Sequence, residues 1–530
     1  MFASRKIRTM ALVAAVLSCC SADACTTCRE REAANLLARA EALCAVASAL
    51  GCTRPTGGFG GSEGGAESLA SADSHGVPFE RLAAQWESAA NGAMAFLASK
   101  VSTKGVGIPI LVFNPCSWTR TDAVSVTSPF PGESVNVKVT DPSGRVRAAR
   151  AIGDSLQFTA RDVPALGYKV FWVNRAAEPV PNAVRAEGAA LENEFYRVTL
   201  DSELCAITGI YDKKRSREVV PVGKRFGALQ VVRRRPLPGS EPAREEAVVA
   251  EHIGGPTDVI VINSGPARAT LNMDCEYGAS QFVHEVTLYD GVPRIDLRIT
   301  ADWRQDANDG ARTSALNVAF ETDIEDGAAC FDAPLGAIRL PADGREVRAF
   351  NWADLSGNDR GVSILNDCAH ALSVDGSMIR AVLLGASQTP GRNPTGEIHE
   401  FLLSIYPHQG DWRRAETVRR GIELSQPLVA RVIPAQTGDL PPSRSFVSVS
   451  EPNVVAALKP AGNDSALILS LEETHGTACT VRVRLNMPAA RFVRIDALGH
   501  PVGAIRPVVD GVISLEIASH DEVAVKLLRE

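Results

Sequence analysis

Ile108-Pro109-Ile110-Leu111-Val112-Phe113-Asn114-Pro115 is the stretch at which this sequence changes character. A short β-branched and aromatic run ends in Asn-Pro. Proline cannot donate to a strand ladder, and asparagine favours the turn that follows. The same punctuation recurs downstream. Val135 to Val139 precedes Asp141-Pro142-Ser143-Gly144, and Val259-Ile260-Val261-Ile262 and Val481 to Leu485 repeat the apolar theme. Short runs at such spacing predict antiparallel sandwiches. The segments before Ile108 read differently. In residues 29–50, Ala33, Leu36, Leu37, Ala40, Leu43, Cys44 and Ala47 recur every three or four positions, which is one apolar helical stripe ended by Gly51. Residues 53–75 are rich in Gly and Ser and read as a linker, and a second helix is predicted from Phe79 to Lys100. Arg414 to Leu424 reads as a short late helix, and Pro434 to Pro442 as a last boundary.

The bulk numbers exclude several function classes. A chain of 530 residues predicts two to four domains, and 45% hydrophobic with 22% charged residues is ordinary globular composition. The net charge of -7 has both signs scattered, which gives nucleic acid no basic face. The one dense basic spot, Arg233-Arg234-Arg235, reads as a solvated loop before Pro236. Nothing after the first residues approaches the ~18 apolar residues of a membrane helix. At the N-terminus, Arg5, Lys6 and Arg8 precede the apolar Met10 to Leu17, and Ala22-Asp23-Ala24 fits a cleavage site. Residues 1–24 therefore read as a signal peptide for a secreted or periplasmic protein, with a cytoplasmic location as the alternative. Cys25-Thr26-Thr27-Cys28 is a lone C-x-x-C, and the later cysteines are scattered singly. No four-ligand metal set is visible, and those cysteines read as small buried hydrophobes.

An ordered set of motifs resembles the glycoside hydrolase family 38 α-mannosidases. Phe113-Asn114-Pro115-Cys116-Ser117-Trp118-Thr119-Arg120 looks like that family's "F-N-P-x-S-W-x-R" strand. Val163-Pro164-Ala165-Leu166-Gly167-Tyr168 resembles its "V-P-P-x-G-Y" turn, where glycine suits a bend between strands. Leu191 to Val198 resembles "L-E-N-x-F-Y-x-V", and Asp302-Trp303 resembles "D-W". Trp352 to Ser356, Gly361 to Asp367, Gly396 to Phe401 and Tyr406-Pro407-His408 follow in the family's order. The resemblance spans roughly Cys25 to Glu530. It implies a mainly β fold of antiparallel sandwiches with a galactose-mutarotase-like supersandwich, preceded by a short helical remnant. The implied domains are a helical remnant at 25–104, a small β-sandwich at 105–182, the supersandwich at 183–440 and a C-terminal β domain at 441–530.

What the resemblance implies about chemistry is mostly missing. Retaining glycosidases use two carboxyl groups ~5–5.5 Å apart. The family builds its site on an N-terminal α/β barrel with a bound zinc, held by an His-x-Asp pair, the nucleophilic Asp and an His from "Q-(H/F)-H-D". Such a barrel takes roughly 200 or more residues, and the helical match here begins near Cys25. None of the nine His is followed by x-Asp. His520-Asp521 is the one His-Asp, and it reads as a polar turn. Leu82 and Trp86 resemble the family's helix before its zinc-binding His, but Asn91-Gly92 then runs straight into a later helix. The sequence therefore assigns no catalytic residue, no metal ligand and no cofactor to this chain, and expects it to be inactive alone.

Three functions remain open at this stage: a non-catalytic carbohydrate-related module, the subunit of a split α-mannosidase whose barrel is a separate chain, and a structural protein without a sugar role. Sugar sites on sandwiches pair exposed aromatics with carboxylates and amides. On that ground Trp303, Trp352, Asp354, His399 and His408 are the candidate carbohydrate-binding residues, with Trp412 less favoured because it begins the late helix. A surface left bare by a missing barrel predicts self-association or a partner. The stripes Leu36-Leu37-Ala40-Leu43 and Leu82-Trp86-Met94-Leu97 would then pair, dock on the sandwich or dimerise.

Overall fold

The computed structural model describes residues 24–52, 79–176, 182–236, 245–255, 257–304, 314–367, 371–385, 398–461 and 466–529. The signal-like segment up to residue 23 and the Gly-rich linker lie outside them. Among the described residues, three helices, α1 (Ala24–Ala49), α2 (Phe79–Lys100) and α3 (Thr417–Ser425), accompany antiparallel sheets of eight, ten, nine, three and five strands. The chain is mainly β, as the turn-punctuated runs predict.

The opening stretch explains the layering. Strand Ile108–Asn114 pairs with Gly167–Arg175 on one side and with Val429–Val432 on the other. Its alternate residues face two different cores. Ile110 and Val112 pack with Val124, Phe158 and Phe171. Leu111 and Phe113 pack with Leu43, Met94 and Leu97 of the helices and with Val481 and Val525 of the C-terminal strands. A strand buried on both faces has no polar alternation, so its sequence is a continuous apolar run. The eight-stranded sheet is closed by strands far along the chain, Val429–Val432 and Ser443–Ser445, so it is not built from one continuous segment.

The two large sheets enclose the main core. Leu200, Ile207, Leu229 and Phe320 of the ten-stranded sheet meet Leu271, Phe282, Leu297 and Leu403 of the nine-stranded sheet. Arg233-Arg234-Arg235 is not a loop. It forms the end of strand Phe226–Pro236, registered against Glu245–His252 on one side, and Arg233 also faces Ser314 of Ser314–Glu321 on the other. The ladder with Glu245–His252 runs through all three residues, and Arg235 stands opposite Glu246 in the register.

Two local expectations resolve in physical terms. Within the helical stripes, Ala40, Leu43, Met94 and Leu97 are buried where α1 and α2 pack on each other and on the C-terminal strands, and Leu36 is half-buried. Gly167 is required for a different reason than a bend. The left-handed residue is its neighbour Leu166 (φ 35°), whereas a Cβ on Gly167 would lie 2.2 Å from the Arg444 carbonyl oxygen. The glycine admits the returning chain at Arg444-Ser445, and the Tyr168 hydroxyl fastens that return by donating to the Pro441 carbonyl at 2.6 Å.

Candidate functional site

The five expected sugar-contacting residues are all buried. Trp352 and Asp354 are 0% exposed, His408 1%, Trp303 4% and His399 8%. Trp303 packs on Phe282 with ring centroids 6.0 Å apart, and His399 stacks on Phe401 at 6.3 Å. Trp352 packs against Trp412 at 5.3 Å, and Trp412 meets His475 edge-on. None presents a free ring to solvent, so the surface role assigned to them from residue type is replaced by packing. Their faces are set by register, which residue type does not encode.

Asp354 and His408 are brought together. Strands Trp352–Ser356, Gly361–Asn366 and Ile398–His408 are neighbours in the nine-stranded sheet. Asp354 Oδ2 accepts from His408 Nε2 at 2.7 Å and from Ser363 Oγ at 2.8 Å, and Oδ1 accepts from the Ser356 hydroxyl. Ser363 Oγ also lies 3.0 Å from Thr417 Oγ1 of α3. The composition is Ser-His-Asp, but the arrangement is not that of a nucleophilic triad. A triad base uses one ring nitrogen for the carboxylate and the other for the nucleophile. Here Nε2 faces both Asp354 and Ser363, while Nδ1 has no partner. The network joins three strands to a helix and is closed to substrate.

A cleft of about 220 Å³ opens nearby. It is lined by the Asp332 to Gly336 turn, Phe350-Asn351, Val418 and Ile422 of α3, and Val455, Glu472 and Thr474 of the C-terminal strands. Phe350 is 37% exposed and supplies an aromatic face. Asp332 Oδ2 accepts from both the Asn351 backbone N–H and its side-chain amide at 2.9 Å. Glu472 stands opposite Glu522 in the register. Burial first, then the charges of Glu522 and Asp332, pushes its carboxyl from 4.5 up to about 7. A neutral carboxyl that donates, a carboxylate that accepts, an amide and a ring can together grip the hydroxyls and apolar face of one sugar unit. Sequence reasoning missed this cleft because its walls come from several separated segments.

The raised carboxyl has a consequence for stability. The folded state holds a proton on Glu472 that the unfolded chain releases above pH 4.5, so stability falls as pH rises from 4.5 through about 7. The climb corresponds to about 3 kcal/mol. Glu472→Gln should unfold at higher denaturant than the parent at pH 8 and match it near pH 4. A parent whose stability is flat between those values would contradict the assignment.

The zinc set that the family resemblance implies does not fit the residues present. Among the described residues, the one cluster of His, Cys, Asp and Glu at metal-binding distance is Cys205, Cys275 and His284, fully buried between the large sheets. It is a thiol-rich set inside a core, unlike an imidazole–carboxylate set at a substrate cleft, and no catalytic step is derived through it. Among the described residues no helix is long and apolar enough to cross a membrane.

Comparison with known proteins adds the following. Residues 191–391 match the pattern described as "Glycosyl hydrolases family 38 C-terminal domain". The chain is 28% identical over 234 residues to Alpha-mannosidase 2C1 of Homo sapiens, covering 42% of this chain and 22% of that protein. It is 25% identical over 426 residues to Alpha-mannosidase 2C1 of Mus musculus, covering 77% and 38%. The chain thus spans well under half the length of these curated relatives. The crystal structure of an alpha-mannosidase from Enterococcus faecalis superimposes with TM-score 0.74 at 13% identity, over 96% of this chain and 68% of that one.

Proposed function

Since this chain belongs to glycosyl hydrolase family 38 through the C-terminal domain at residues 191–391, we propose that it is a carbohydrate-related β-sandwich scaffold of α-mannosidase type, without glycosidase chemistry of its own. The observation that carries this reading is where the family-like motifs fall. Trp352–Ser356, Gly361–Asn366 and Ile398–His408 lie side by side in one sheet, and Asp354, Ser356, Ser363 and His408 spend their hydrogen bonds on each other. Such residues build a rigid platform and leave no free nucleophile or acid. The open cleft beside Phe350 holds a single sugar unit weakly, with affinity of about millimolar, because one ring face and a few polar groups supply little binding energy. Saturation-transfer NMR of the intact chain with methyl α-mannoside tests this. The expected result is transfer to the sugar ring protons that disappears in Phe350→Ala. Equal transfer in the variant, or none in the parent, would reduce the role to a purely structural one.

A further inference from the structure

The buried trio Cys205, Cys275 and His284 has features that packing alone does not explain. Cys275 lies on strand Arg268–Tyr277 and His284 on the adjacent strand Ser280–Tyr289. Register places Met273 opposite His284 and Cys275 opposite Phe282, so these four residues share one face of the nine-stranded sheet. Cys205 comes from the other sheet, in the turn between Tyr196–Asp201 and Ala206–Asp212. Its φ of 48° is left-handed, a costly conformation for a side chain other than glycine. The two sulfurs and a ring nitrogen lie within 4.8 Å of one another. His284 is 1% exposed, and its Nε2 has no hydrogen-bond partner. A buried imidazole nitrogen without a partner is unfavourable.

We propose that Cys205, Cys275 and His284 bind one thiophilic d10 metal ion, zinc(II) or copper(I), which pins the two large sheets together. The buried imidazole of His284, with its Nε2 unpartnered, is available as the nitrogen donor. Binding forms two metal–sulfur bonds and one metal–nitrogen bond and releases the two thiol protons to solvent. Two thiolates, one neutral imidazole and a divalent ion sum to zero charge, which suits an apolar core. Soft donors select zinc or copper(I) over magnesium or calcium. The thioether of Met273, on the same face, adds a further soft donor to the neighbourhood.

The test uses the full chain carrying Cys25→Ser and Cys28→Ser, reduced and handled without oxygen. Cobalt(II), as a stand-in for zinc, should give near-ultraviolet thiolate-to-cobalt charge-transfer absorption that saturates at one equivalent. Zinc(II) displaces it if zinc is the native ion. Copper(I), delivered in a competing chelator, is retained at one equivalent if copper is. Either ion should raise the melting temperature by several degrees. Cys275→Ala should abolish the absorption and the rise. Cys205→Gly should do the same while keeping the backbone, because glycine accepts the left-handed turn at that position. The proposal is overturned if the parent takes up neither ion in a stoichiometric, stabilising way. It is also overturned if both variants bind like the parent, or if mass spectrometry of unreduced protein shows a Cys205–Cys275 disulfide.

Discussion

Asp122→Ala should cost the folded chain about 3–5 kcal/mol, because it takes the shared carboxylate from the buried Arg120 guanidinium and from the half-buried Arg294. Asp122 is 3% exposed and lies between Arg120, whose guanidinium it pairs with directly, and Arg294, 3.0 Å from its other oxygen. Arg120 also donates to the backbone carbonyls of Glu423 at 3.0 Å and Gln426 at 2.6 Å at the end of α3. Arg294 continues to Asp296 at 2.9 Å in the nine-stranded sheet. One carboxylate thus ties the small sheet, the late helix and the large sandwich. Burial opposes its charge, but Arg294 and then Arg120 win and hold the carboxyl below its ordinary 3.8. The sign follows: its stabilisation is complete above pH 3.8 and is lost as the solution is acidified through the lower folded value. Urea unfolding of parent and variant at pH 7 checks the size, and a difference under ~1 kcal/mol would place the pair in the class of exposed, weak salt bridges.

A comparable loss, about 3–5 kcal/mol, should follow Asp354→Ala, by a different route. This carboxylate accepts from His408, Ser363 and Ser356, all in a region closed to water. Removing it takes the acceptor from the His408 ring and the Ser356 hydroxyl and leaves Ser363 with Thr417 and His408 alone, and each lost buried bond costs roughly 1–3 kcal/mol. His408→Phe should be harmful alone, yet add little to Asp354→Ala, since the partner is already gone. Strictly additive losses in the double variant would show that the two side chains do not act as a unit. Gly361 sits in the same unit: a Cβ there would lie 2.2 Å from the His408 ring, so only glycine lets the strand pass.

How much of this was legible depended on how local each signal is. The apolar run at Ile108–Asn114 and the helix ranges at Phe79–Lys100 and near Arg414–Leu424 could be read because a strand or helix imprints its period on contiguous residues. The family-like motifs could be read because each is a short contiguous string. Pairings between distant segments left no such trace. The closing strands Val429–Val432 and Ser443–Ser445, the cleft beside Phe350 and the Cys205–Cys275–His284 trio are all assembled from separated stretches. Trp352 and His408 show the other limit. Their residue types suit a sugar platform as well as a core, and only the register of the sheet decides which way they face. Arg233 to Arg235 misled for a related reason, since charge was weighed and the partner strand Glu245–His252 was not visible.

The central claim is that this chain supplies a family 38 scaffold and not the hydrolytic centre. Incubating the purified chain with an aryl α-mannoside, with zinc or cobalt supplied, tests it most directly. The account predicts no release of the aryl group above a protein-free blank, with or without metal. Turnover that the metal supports and a chelator abolishes would contradict it.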